Sequence, residues 1–185
     1  MTQYYLHGWM ASEKTENNKK FFEDFLKDYK PKNKILCIAF AKIDKIFTNG
    51  MFQKMVNNFV DIQIHSELAN NSSQILLEQI KSSKYIYITW WDYNSLLNNM
   101  IFLKDHKKIF QWKIIAWSSA WTNILSEVSF SNDYQSITQW IWLLNIWTMC
   151  HYDKKSIWRE MLENLSVDLE LKFIEEWKYI VIENS

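Results

Sequence analysis

Residues 113–125, KIIAWSSAWTNIL, put two serines where a short apolar run turns directly into a helix-like segment. If the flanking Trp117 and Trp121 were glycines, the turn would read Gly-Ser-Ser-Ala-Gly, a Gly-x-Ser-x-Gly nucleophile elbow centred on Ser119. That chemistry needs small residues. The turn is strained, and the residues two before and two after the nucleophile pack against each other so that the serine oxygen projects above the sheet. Backbone N–H groups at the start of the following helix then face a developing oxyanion. A Ser-rich helix N-cap accounts for the same letters without catalysis. A second stretch, YIYITWWDYNSLL at 85–97, is a buried-strand pattern ending in Trp90-Trp91. Read as Gly-Gly, this turn lets backbone amides approach a reacting centre.

Both stretches depend on one compositional anomaly. The chain of 185 residues holds 11 Trp and 2 Gly. Ordinary glycine usage would give about 13 glycines. The tryptophans stand at the ends of apolar runs, where indoles make poor turns and glycine makes good ones. The expectation is that most or all of these positions are glycine in the native protein, encoded by UGA codons that its organism reads as glycine. Lysine-rich, arginine-poor usage, with Arg159 the sole arginine, fits the low-GC gene in which such recoding occurs.

The elements that must hold these turns alternate. Strand patterns lie at 3–7, 35–40, 61–65, 85–89 and 113–116, with one or two more within 141–149. Helical spacing covers 15–29, 50–59, 74–82, about 93–103, 120–127 and 155–165. A closing hairpin is expected from 169–174 and 178–183, turning at Glu175-Glu176-Trp177. Repeated β-α alternation predicts an α/β fold, a three-layer sandwich around a mostly parallel sheet with an antiparallel margin. No linker, repeat or composition shift divides the chain, so residues 1–185 are expected to form one domain.

Bulk properties narrow the function. Formal net charge is zero, which gives no electrostatic case for nucleic acid or an anionic membrane. Cys37 and Cys150 lie on apolar runs without metal-ligand spacing and read as buried thiols of a reducing compartment. His7, His65 and His106 are scattered, and no zinc constellation accompanies them. No cofactor motif is present. The start, MTQYYLHG, lacks the basic and apolar regions of a secretion signal, and ITQWIWLLNIW is too short and too polar to span a bilayer. A cytoplasmic protein acting on a small molecule is the expectation. The oligomeric state is open, and a homodimer is compatible with the sequence.

Taken in order, YYLHGW, ITWWDYNSLL, AWSSAWTN and WLLNIWTMCHYD resemble the dipeptidase E (α-aspartyl dipeptidase) family of serine peptidases, whose fold is that of class I glutamine amidotransferase-like proteins. The family has Ser-Gly-Gly, Gly-Gly-Asn, Gly-x-Ser-Ala-Gly-x-Asn and Gly-Leu-x-Leu followed by Pro-His at the corresponding places. Trp9, Trp90, Trp91, Trp117, Trp121, Trp142 and Trp177 fall where it uses glycine. The resemblance implies Ser119 as nucleophile, His151 as general base and Glu176, in IEEW, as the acid that orients the base, with Glu175 the competitor in another register. It implies the amides of Ala120 and Trp91 as oxyanion donors and Asp133 as part of the active-site region. Arg159 would be a bidentate partner for a substrate carboxylate. The implied reaction is hydrolysis of small peptides, dipeptides with an N-terminal aspartate, without metal or cofactor. Two other classes stay open: a catalytically degenerate binding protein on the same fold, favoured if the indoles are native, and a carbohydrate-binding module using exposed indoles.

Overall fold

The structure, a computed structural model, describes residues 1–8, 10–39, 49–89, 101–118, 122–131, 136–139, 143–150, 160, 163 and 169–184. Among the described residues, ten strands fall into two sheets. The first contains β1 (Thr2–His7), β2 (Lys34–Ile38), β3 (His65–Leu68), β4 (Tyr85–Ile88), β5 (Ile114–Ser118) and β10 (Tyr179–Asn184), in the order β10-β1-β5-β4-β2-β3. All neighbours in it run parallel except β10, which pairs antiparallel with β1. The second contains β6 (Ser126–Ser131), β7 (Ser136–Gln139), β8 (Leu144–Cys150) and β9 (Glu170–Ile174), in the order β7-β6-β8-β9.

Continuous apolar runs make the central strands, as expected of parallel strands covered on both faces. Strand alternation sends Tyr5, Ile35, Cys37, Tyr85, Tyr87 and Ala116 to one face. There they meet α1 (Glu16–Leu26) and α2 (Asn49–Val56). Helix α1 starts at the Thr15 cap, whose hydroxyl accepts from the Asn18 N–H at 3.2 Å, and buries Phe21, Phe22, Phe25 and Leu26 as one stripe. The opposite face carries Leu6, Leu36, Ile88, Ile115 and Trp117. It packs under α3 (Ser73–Ser82), a 3-10 helix at Ile101–Phe110, and the inner face of the second sheet through Leu144, Ile146, Cys150 and Ile174. The layers are those of an α/β sandwich.

Several expectations change. The strand read at 61–65 begins only at His65. Residues 61–64 are held instead by Gln53 of α2, which donates to the Ile62 carbonyl at 3.3 Å and accepts from the Ile64 N–H at 3.0 Å. Helix α1 stops at Leu26 rather than 29. Tyr29 leaves it to accept the His65 N–H at 2.9 Å and to donate to the Asn33 carbonyl at 2.9 Å. The helix read at 120–127 is the short α4 (Thr122–Leu125), after which the chain enters β6. Ser126 Oγ donates back to the Asn123 carbonyl at 2.5 Å and closes that helix. Finally, β9 and β10 are not a paired hairpin. β9 pairs with β8 and β10 with β1, so the chain changes sheets at Glu175–Lys178. The helix read at 93–103 lies outside the described residues up to residue 100, and 101–110 is 3-10 helix. Of the helix read at 155–165 only Glu160 and Glu163 are described, both helical.

Candidate active site

The carboxyl ends of β1, β5, β8 and β9 come together at one end of the fold. Ser118, the last residue of β5, is 5% exposed and pairs with His7, the last residue of β1. His7 pairs on its other side with Tyr179 at the start of β10. In the second sheet Cys150, ending β8, pairs with Ile174, ending β9. The two sheets meet where Gly8 abuts the β9–β10 corner. The Gly8 N–H donates to the Lys178 carbonyl at 2.8 Å. A Cβ on Gly8 would lie 2.2 Å from the Glu175 carbonyl oxygen, an approach only glycine permits.

Among the residues expected from the sequence, Glu176 is described. It is half-buried in the corner turn, which the Lys178 N–H closes on the Glu175 carbonyl at 3.2 Å. Its competitor Glu175 forms an ion pair with Lys178 at 2.6 Å. Ser119, His151, Trp91, Ala120, Asp133 and Arg159 lie outside the described residues, as do Trp9, Trp90, Trp121 and Trp142. Their immediate neighbours Ser118, Thr122 and Cys150 are described, and these bound the two segments that carry the serine and the histidine.

At the carboxyl ends of β1 and β5 lies a buried polar floor. Asn18 Nδ2 donates to the carbonyls of Met10 at 2.6 Å and Glu13 at 2.8 Å, which turns its Oδ1 toward His7 Nε2 at 2.8 Å. Asn18 Oδ1 can only accept, so His7 carries its proton on Nε2. Burial pushes the His7 pKa down to about 4, only partly offset by that hydrogen bond. On β4 the Tyr87 phenol bonds the side chains of Ser118 and Thr89, and burial raises its pKa further than those bonds lower it. The floor is therefore uncharged at neutral pH, with an imidazole and a phenol both in neutral form. The sequence reading found no context for His7. Its signal was a polar residue ending an otherwise apolar strand.

A second buried network ties α4 to β8. Thr148 Oγ1 lies 3.1 Å from Asn123 Oδ1 and 3.0 Å from Ser126 Oγ, and all three residues are buried. Cys37 and Cys150 are buried and not joined in a disulfide, and burial raises the Cys37 thiol pKa. Among the described residues no group of three or more His, Cys, Asp or Glu could hold a metal ion. No helix among them is long and apolar enough to cross a membrane.

No family model matches the chain, and no curated protein does. Solved structures do. One is a candidate peptidase E protein from Listeria monocytogenes EGD-e, 14% identical, with a TM-score of 0.59 over 100% of both chains. Another is a peptidase from an acI-B1 Actinobacterium, 15% identical, with a TM-score of 0.67 over 98% of this chain and 83% of that one. The chain has a peptidase E-type fold. That fold accounts for the mostly parallel sheet with its antiparallel β10 margin.

Proposed function

We propose that the protein is a serine peptidase acting on small peptides, with dipeptides bearing an N-terminal aspartate as its substrates. The observation that carries this reading is the meeting of strand ends. The segment after Ser118, the segment after Cys150 and the Glu175–Lys178 corner all leave the sheets at the end where His7 and Gly8 join them. These are the segments that hold Ser119, His151 and Glu176. The likeness to two solved peptidases supports the same reading.

In this mechanism Ser119 Oγ attacks the scissile carbonyl carbon while His151 takes its proton. The C–N bond then breaks, and the departing amine receives that proton. Water, deprotonated by His151, hydrolyses the acyl-serine and regenerates the enzyme. Glu176 orients His151 and stabilises its imidazolium. The amides of Ala120 and residue 91 hold the oxyanion, Asp133 belongs to the active-site region, and Arg159 pairs with a substrate carboxylate. The scheme uses no metal or cofactor. Positions 90, 91, 117 and 121 act as glycines in it, because an elbow flanked by indoles cannot close.

The test is an assay of Asp-X dipeptides with the chain carrying glycine at all eleven tryptophan positions. Turnover lost in Ser119→Ala, together with labelling of Ser119 by a fluorophosphonate, is the expected result. A folded chain that neither turns over nor labels would end this reading and favour a binding protein on the same fold.

A further inference from the structure

Two tryptophans adopt a backbone that tryptophan avoids. Trp112 has φ 64° and Trp177 φ 56°, and the one other non-glycine described residue with positive φ is Met10. Neither described glycine has positive φ. This is the left-handed region, open to glycine at no steric cost and next to asparagine, a residue in which this chain is rich. For an ordinary side chain it lowers the folding equilibrium by a factor of about five to a hundred.

The indoles do not offset that loss. Trp112 is 76% exposed and Trp177 39% exposed. What the fold takes from Trp112 is its backbone N–H, donated to Thr2 Oγ1 at 3.0 Å. Thr2 in turn donates to the Phe110 carbonyl at 2.9 Å. Trp177 is the third residue of the turn closed between Glu175 and Lys178, the position where a positive φ calls for glycine. Its indole reaches only the exposed carboxylate of Glu13, at 2.7 Å.

The other two described tryptophans misfit differently. Trp117 and Trp147 are buried, and among the described residues the indole N–H of each has no hydrogen-bond partner. More than nine in ten buried polar groups have one. All four described tryptophans thus sit badly, two through the backbone and two through an unanswered donor.

We infer that the native residue at 112, 117, 147 and 177 is glycine encoded by UGA and, because one codon has one meaning, that every other tryptophan position written with UGA is glycine as well. The elbow of the proposed peptidase rests on the same substitution. Trp112, however, stands at the amino end of β5, away from the elbow, and Trp147 within β8, so neither was chosen for its place in a catalytic scheme.

The experiment has two arms. Peptide mass sequencing of the protein isolated from its native host, across residues 112 and 177, is expected to read glycine, with UGA at both codons. Tryptophan at either position, or a UGG codon, overturns the inference. In a standard expression host, Trp112→Gly and Trp177→Gly in the chain as written are each expected to raise the folding equilibrium about fivefold or more. The asparagine variants should fall between. No gain in either glycine variant counts against it equally. If glycine is found and the all-glycine chain cleaves no peptide, the recoding stands and the peptidase reading alone falls.

Discussion

Gly8 is the residue on which two sheets close. A methyl group there would meet the Glu175 carbonyl at 2.2 Å, and that carbonyl belongs to backbone that closes its own turn. Gly8→Ala is therefore expected to cost about 1–3 kcal/mol, the usual price of overpacking, read as a lower urea midpoint with unchanged slope. Next to it, His7 makes stability depend on pH. Its folded pKa is about 4, below the ordinary value of 6.5, so the unfolded chain binds its proton first as pH falls. The contribution is fully present above about pH 6.5 and lost progressively down to about pH 4, roughly 3 kcal/mol in all. Urea titrations at a series of pH values should show that slope, and His7→Gln should flatten it. In the sequence His7 was only a polar letter ending an apolar strand. Its meaning depends on Asn18 being turned by two loop carbonyls, a long-range arrangement that no local pattern encodes.

At the scale of elements, the Asn123–Ser126–Thr148 network joins α4 to β8, the strand that leads to His151. Thr148→Val keeps the shape and removes the hydroxyl. It is expected to lower kcat about ten- to a hundredfold with little change in KM, while Thr148→Ser restores it. An equal loss in both variants would mean that the network only stabilises the fold. Lys113 shows the same economy at the other end of β5. Its buried ammonium donates to the carbonyls of Lys81 at 3.1 Å and Ser83 at 2.6 Å and so caps α3. Lys113→Met should cost about 1–3 kcal/mol, measured by thermal melting, because both carbonyls lose a charged donor.

The elements that were legible in the chain are those whose burial is uniform. ILCI and YIYI read as interior strands because nothing in them faces water, and the Phe21, Phe22, Phe25 stripe reads as a helix face. β6 and β7 were not legible. Their serine-rich alternation, SEVSFS and SITQ, carries little apolar signal, and the helix before β6 ends through a serine hydroxyl rather than a glycine. Of the candidate site, the turn at Glu175–Lys178 was legible as a short motif, while the serine and histidine segments lie outside the described residues. The buried polar floor was not legible, because it is assembled from four separate elements, β1, α1, β4 and β5.

For the whole molecule, one core spans both sheets, with Leu6 and Trp117 of the first packed in the same cluster as Ile146, Cys150 and Ile174 of the second. We therefore expect residues 1–185 to unfold as one cooperative unit. A single calorimetric transition, coincident by near- and far-UV dichroism, is the expected outcome. Two separated transitions would assign the second sheet to a domain of its own. The chain passes between the sheets twice among the described strands, from β5 through α4 to β6 and from β9 to β10. The proposed nucleophile lies on the first passage and the proposed acid on the second. In the proposed peptidase, turnover would then gauge the gap between the sheets: warming that spreads them by a fraction of an ångström would silence it while the spectrum still reported a folded protein.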